Sequence, residues 1–129
     1  MNRFNIPELE RFVFPYAAIP KQTRLLIYGG GIVGCTYIES VKDNKDYNLL
    51  GLVDKKPISN SCFGLKVIMP HQILEIYGDE YDMILIAIER QEIAVAIWQE
   101  LKELGISKSK LKWIDPTRGI VNGLSYPSF

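Results

Sequence analysis

The sequence predicts an α/β fold with a parallel sheet of about five strands between layers of helix, and three observations predict it. Short apolar runs alternate along the chain with amphipathic stretches, the pattern of strands joined by crossover helices. The first of these runs passes directly into three glycines and then into a helical pattern. The chain is 129 residues long, 47% hydrophobic and 23% charged, which suits one globular domain with its own core.

Residues 1–20 read as an N-terminal appendage. Pro7, Glu8, Leu9, Phe12 and Val13 fit a short amphipathic turn of helix with Pro7 in its first turn, ended by Pro15 and Pro20. Phe4, Phe12, Phe14 and Tyr16 are expected to pack on the main domain as a lid over one sheet edge. Residues 21–115 form that domain. Arg24 to Tyr28 (RLLIY) is almost continuously apolar, as a central parallel strand covered on both faces must be. From Gly31 to about Lys42 the spacing of Gly34, Ile38 and Val41 gives one helical face. Leu49 to Val53 is a second strand ending at Asp54, and Pro57, Ser59, Asn60 and Ser61 mark a loop.

Leu65 to Met69 is a short third strand, after which Pro70 begins a brief helix through Leu74 and Ile76. Tyr81 to Ile88 (YDMILIAI) is the strongest strand. Gln91 to Leu104 is the strongest helix, with Ile93, Ala94, Ile97, Leu101 and Leu104 on its apolar stripe and Gly105 as a left-handed cap. Leu111 to Ile114 is the last strand, and residues 116–129 form a C-terminal tail short of regular pattern. Right-handed crossovers then give the strand order 3-2-1-4-5, a Rossmann-like three-layer sandwich lacking most of its second half.

Gly29-Gly30-Gly31-Ile32-Val33-Gly34 satisfies G-x-G-x-x-G. In that motif Gly29 turns the chain off the strand, Gly31 lets a pyrophosphate approach the backbone, and Gly34 lets the helix pack closely. The helix beginning here aims free amides and its positive dipole end at the same spot. Asp54 lies twenty residues past Gly34, at the end of the next strand, where a carboxylate can accept hydrogen bonds from ribose hydroxyls. It would repel a 2′-phosphate, which favours NAD or another nucleotide with a free ribose over NADP, although Lys55 and Lys56 soften that argument. Ala87, Ile88, Glu89 and Arg90 follow the fourth strand beside the predicted cleft. The binding set is therefore Gly29, Gly30, Gly31, Ile32, Val33, Gly34, Asp54, Lys55, Ala87, Ile88 and Arg90. Arg90 draws attention because a cation at a helix start opposes the dipole and has no evident compensation.

Fifteen basic residues balance fifteen acidic ones, so no overall field favours nucleic acid or an anionic membrane. No apolar run approaches the ~20 residues of a membrane span, and no signal-peptide pattern is visible, so a reducing cytoplasmic setting is expected. One histidine and two cysteines give no zinc spacing. Cys35 is read as a small buried residue under the loop and Tyr28 as either core or ligand flank. His71 is the only ready general base near neutral pH, without a partner at a telling spacing. No catalytic residue is assigned.

The run IPKQTRLLIYGGGIVGCTYIESV, then LLGLVDKKP, GLKVIMPHQI and YDMILIAIERQEIAVAIWQELKELGISKSKLKWI resembles the small Rossmann domains of bacterial surface-polysaccharide loci. Such domains precede capsule-type nucleotide-sugar dehydratases and epimerases, or accompany glycosyltransferases. The resemblance spans roughly residues 18–115 and matches at Gly29, Gly31, Gly34 and Asp54; where those domains carry Ala, this chain has Gly30, a change read as harmless. It implies nucleotide or nucleotide-sugar recognition in capsule or lipopolysaccharide assembly, with a glycosyltransferase or dehydratase as partner.

No catalytic domain follows residue 115, so the chain is either a separate binding subunit or a piece of something longer. The leading reading is a non-catalytic module that binds NAD or a nucleotide-sugar. The second is a small NAD-dependent nucleotide-sugar oxidoreductase completed by oligomerisation, with the tail Ile120 to Phe129 crossing to a neighbour. The third is a fragment of an S-adenosylmethionine-dependent methyltransferase. An exposed edge strand and an apolar tail make a homodimer an expectation.

Overall fold

The computed structural model describes residues 12–56, 61–62 and 64–118. Its strands are β1 (Phe12–Val13), β2 (Arg24–Tyr28), β3 (Asn48–Val53), β4 (Ser61–Cys62), β5 (Leu65–Ile68), β6 (Met83–Ile86), β7 (Leu111–Trp113) and β8 (Thr117–Arg118). The helices are α1 (Ile32–Val41), α2 (Ile73–Tyr77) and α3 (Gln91–Glu103). The main sheet runs β4-β5-β3-β2-β6-β7, parallel throughout except for β4. Its five parallel strands stand in the order expected from the sequence. The chain winds outward from β2 in both directions, so the order reverses between β2 and β6, the point where open α/β sheets leave a crevice.

Strand alternation assigns the core. Leu26, Tyr28, Ile84 and Ile86 point to one face, where Ile73 of α2 and Ala94, Ile97 and Leu101 of α3 cover them. Leu25, Ile27, Leu85 and Ala87 point to the other, against Val33, Tyr37, Ile38 and Val41 of α1. On α3 the stripe is narrower than its periodicity predicts, for Ile93 and Leu104 stay 41% and 39% exposed. Gly105 takes the expected left-handed conformation, with φ of 99°.

The face with α1 has only that helix among the described residues, and the N-terminal segment completes it. Phe12, Phe14 and Ile19 are buried there, and the Phe14 ring meets Tyr37 and Tyr47 edge-on, each with centroids 5.5 Å apart. The segment therefore lies beside α1, not over a sheet edge, and Tyr16 remains 46% exposed. Phe12 and Val13 are a strand rather than a turn of helix. Phe12 and Phe14 are two residues apart and both buried, a period that only extended chain satisfies, and Pro15 disfavours helix at the residue before it. Their partner is β8, with Phe12 opposite Arg118 and Val13 opposite Thr117, in a region expected to lack regular structure. Ser61, expected in a loop, begins β4, which returns on β5 through Gly64 with φ of 79°. The expected contributions of Phe4, Pro7, Leu9 and the tail Ile120 to Phe129 lie outside the described residues.

Two contacts fix the central strands. At the base of the sheet, Arg24 Nη2 reaches Asp82 Oδ1 at 2.9 Å while the Arg24 amide donates to Oδ2 at 2.8 Å. These hydrogen bonds hold the Asp82 carboxyl down at about 2. At the top, a Cβ on Gly34 would fall on the carbonyl of Gly29. No helix among the described residues is long and apolar enough to cross a membrane.

Two outcomes follow from these contacts. Gly34→Ala forces α1 off β2 and destabilises the domain by about 3 kcal/mol or more, measurable by urea denaturation. Because the Asp82 pKa is depressed, its stabilisation is present above the ordinary carboxylate range near about 4 and is lost as pH falls through about 2. Asp82→Asn therefore flattens the acid limb of the stability profile, which thermal melts from pH 5 downward will register.

Candidate functional site

The crevice at the reversal point is built from the loop between β2 and α1 and the loop between β6 and α3. Gly29 leaves β2 with φ of 115°, a conformation that side chains resist. Its amide still donates to Val53 O at 2.8 Å, which ties the turn to β3. Gly30 and Gly31 are exposed at the crest, and a Cβ on Gly31 would meet nothing within 4 Å among the described residues.

Gly31 is also the N-cap of α1, and no side chain among the described residues caps that helix. The first acceptor used inside the helix is the Gly31 carbonyl, which receives the Cys35 amide at 2.9 Å. Helix geometry thus leaves the amides from Gly31 to Gly34 without intrahelical acceptors. They stand at the positive end of the helix dipole, with open space at the exposed Gly31.

Asp54 stands at the end of β3 on the flank of this crest. Its Oδ2 accepts the Gly30 amide at 2.7 Å and its Oδ1 accepts the Lys56 amide at 2.8 Å. The carboxylate therefore reaches the loop, as the spacing predicts, and is itself hydrogen-bonded to it. A carboxylate offers about four acceptor positions, so two remain.

On the other flank lies a cavity of about 280 Å³ lined by Phe12, Gly31, Ile32, Val33, Ala87, Ile88 and Glu89. Five residues of the expected set thus share one wall system. Gly29 and Gly34 lie buried beneath the crest and shape it, while Gly30 holds the Asp54 side. The Ile88 carbonyl is fixed by the Trp113 indole N–H at 2.8 Å. Phe12 was not among the expected residues. Its signal was the alternation of Phe12 and Phe14 ahead of Pro15, which marks an inward-facing extended segment.

Two expected cations are engaged elsewhere. Lys55 Nζ pairs with Glu100 of α3 at 2.6 Å, across the face opposite α1. Arg90 is the N-cap of α3, and its Nε and Nη2 hold Glu92 Oε1 at 2.8 and 2.7 Å. The cation that opposes the dipole at this helix start is thus compensated by a carboxylate in the first turn. Neither Lys55 nor Arg90 lines the cavity.

Tyr28 is 3% exposed, and its hydroxyl has no hydrogen-bond partner among the described residues. Burial, then the nearby Glu100 and Asp54 charges, push its pKa up to about 12, so the phenol is neutral at ordinary pH. Cys35 is buried, with Sγ 3.4 Å from the Gly30 carbonyl, as a packing residue should be. His71 is exposed on the turn Pro70–Gln72. Among the described residues no cluster of metal-ligating side chains occurs.

Comparison with known proteins places the architecture. The crystal structure of UDP-D-quinovosamine 4-dehydrogenase from Vibrio fischeri is similar with a TM-score of 0.55 and 16% identity, over 71% of this chain and 75% of that one. RSP, a Rex-family repressor, is similar with a TM-score of 0.51 and 17% identity, over 73% of this chain and 53% of the repressor. The same repressor in complex with β-NADH gives 0.50 and 17%, over 73% and 54%; the chain matches about half of the repressor's length. At such identities the likeness establishes the Rossmann-like fold. No curated protein is significantly similar in sequence. Residues 21–112 match the family model described as C2185-like, N-terminal, and the chain belongs to that family.

Proposed function

We propose that this chain is a nucleotide-binding module that takes NAD(H) or a nucleotide-sugar across the crest from Gly29 to Gly34. The observation that carries the reading is the juxtaposition at that crest. The amides of an uncapped helix N-terminus border open space at Gly31, and a carboxylate stands one strand away. An anion needs the first and a ribose needs the second. The phosphates lie over Gly31 to Gly34, a ribose meets Asp54, and the other half of the ligand enters the cavity walled by Phe12, Ile32, Val33, Ala87 and Ile88. The likeness to a protein named for a UDP-sugar and to a repressor solved with β-NADH supports this ligand class.

The module is proposed to bind rather than to react. Among the described residues that line the cavity, Glu89 alone has an ionisable side chain, and His71 lies exposed on the turn before α2. Service in surface-polysaccharide assembly, beside a glycosyltransferase or dehydratase, rests on the resemblance of IYGGGIVG, VDKKP and ELGISKSKLKWI to domains of such loci. No side chain at the crest favours S-adenosylmethionine over a nucleotide with phosphates, and the uncapped amides favour the phosphates.

Calorimetric titration of the purified protein with NAD and with UDP-sugars should give saturable binding and no turnover. Absence of binding to every nucleotide would refute the reading, and turnover of a nucleotide-sugar would transfer it to an oxidoreductase. Asp54→Ala should weaken ligands with a free ribose about 10- to 100-fold, the size of a hydrogen bond to a charged group. Gly31→Val places a branched side chain where the phosphates must lie and should abolish binding, with the melting temperature little changed because Gly31 has open space around it.

A further inference from the structure

We infer that Gly30 is the residue that makes the site select a free ribose 2′-hydroxyl, by holding the Asp54 carboxylate against the loop. This inference rests on the proposed nucleotide binding and adds the residue that decides which nucleotides are accepted.

The backbone does not require glycine at this position. The described glycines with positive φ are Gly29, Gly64, Gly78 and Gly105, so Gly30 has a conformation open to other residues. Core packing does not require it either, because Gly30 is exposed. A Cβ built there would lie 2.8 Å from Asp54 Oδ2, and its next neighbours, Leu52 Cδ2 and Asp54 Cγ, would be at ordinary contact distances of 3.7 and 3.8 Å. Among the described residues, the one atom a Cβ at position 30 would press on is that carboxylate oxygen.

That oxygen is the one bonded to the Gly30 amide at 2.7 Å, while its twin holds the Lys56 amide at 2.8 Å. The two charge-assisted bonds fix the carboxylate between the loop and the turn after β3. Held this way, it keeps an acceptor position on each oxygen for a ribose diol and a fixed negative charge against a 2′-phosphate. Alanine, the residue in the resembling domains, is therefore not a harmless alternative to Gly30 in this chain. Its methyl group would push Oδ2 off the amide, leave the carboxylate held by the Lys56 amide alone, and weaken both the attraction and the repulsion.

The test compares the full chain with Gly30→Ala and Gly30→Ser by calorimetry, using NAD against NADP and UDP against 2′-deoxy-UDP, with thermal melts in parallel. The expected result is a wild type that prefers the ligand with the free 2′-hydroxyl in each pair it binds. Both variants should melt no lower than wild type, bind that ligand about tenfold more weakly, and lose about tenfold of the preference. A merely structural role would weaken both members of a pair alike and leave their ratio unchanged; that result overturns the inference while nucleotide binding stands. A wild type without preference overturns it too. A wild type that binds none of the four removes the nucleotide reading itself.

Discussion

Everything at the top of this sheet depends on how closely α1 approaches the end of β2. The backbone of Gly34 passes against the carbonyl of Gly29 with no room for a methyl group between them. That approach fixes the helix axis relative to the strand, and so decides where the first turn of amides is presented. A helix held further out would still have uncapped amides, but they would not share a crest with the end of β3. Gly29 serves the same constraint from the other side: its φ of 115° turns the chain within one residue, while its amide still completes the ladder to Val53.

The sheet around this crest is stabilised unevenly, and the N-terminal segment is the consequence. α2 and α3 cover one face, whereas α1 alone among the described helices covers the other. A parallel sheet exposed on one face would leave apolar side chains in water. Phe12, Phe14 and Ile19 supply the missing cover, with Tyr37 and Tyr47 packed around the Phe14 ring. The pairing of β1 with β8 ties this segment to chain more than a hundred residues away. The same Phe12 that seals the core also walls the cavity at the crest, so stability of the face and shape of the site are coupled through one side chain.

Much of this was legible in the sequence because it rests on local pattern. Leu25 to Tyr28 and Ile84 to Ala87 read as buried strands since every residue is apolar, and right-handed crossovers then left few orders for the sheet. Asp54 was legible from its spacing after Gly34. What escaped depended on contacts between distant segments. Two-residue strands such as β1, β4 and β8 carry no periodicity, and their existence is decided by what lies opposite. Lys55 was expected at the site because of its position, yet its long side chain finds Glu100, forty-five residues on, and no spacing rule announces that pair. Arg90 differs: its partner Glu92 is two residues away at the start of α3, and the first-turn preference for acidic residues would have pointed to it.

The hydrogen bond from Gly30 to Asp54 also bears on how one small crest can offer amides to two groups of the same negative charge, the Asp54 carboxylate and, in the proposed reading, a phosphate. An anion and a carboxylate compete for the same amides unless those amides are divided between them. Here the division falls at a single peptide: the Gly30 N–H belongs to Asp54, and the amides from Gly31 to Gly34 are the ones the helix itself leaves without acceptors. A ligand that places its phosphates over the helix and a neutral hydroxyl pair on Asp54 fits this division, and one that brings a second anion to the Asp54 side opposes it. In the proposed reading the arrangement of charge, more than the size of the cavity, decides which ligand is taken.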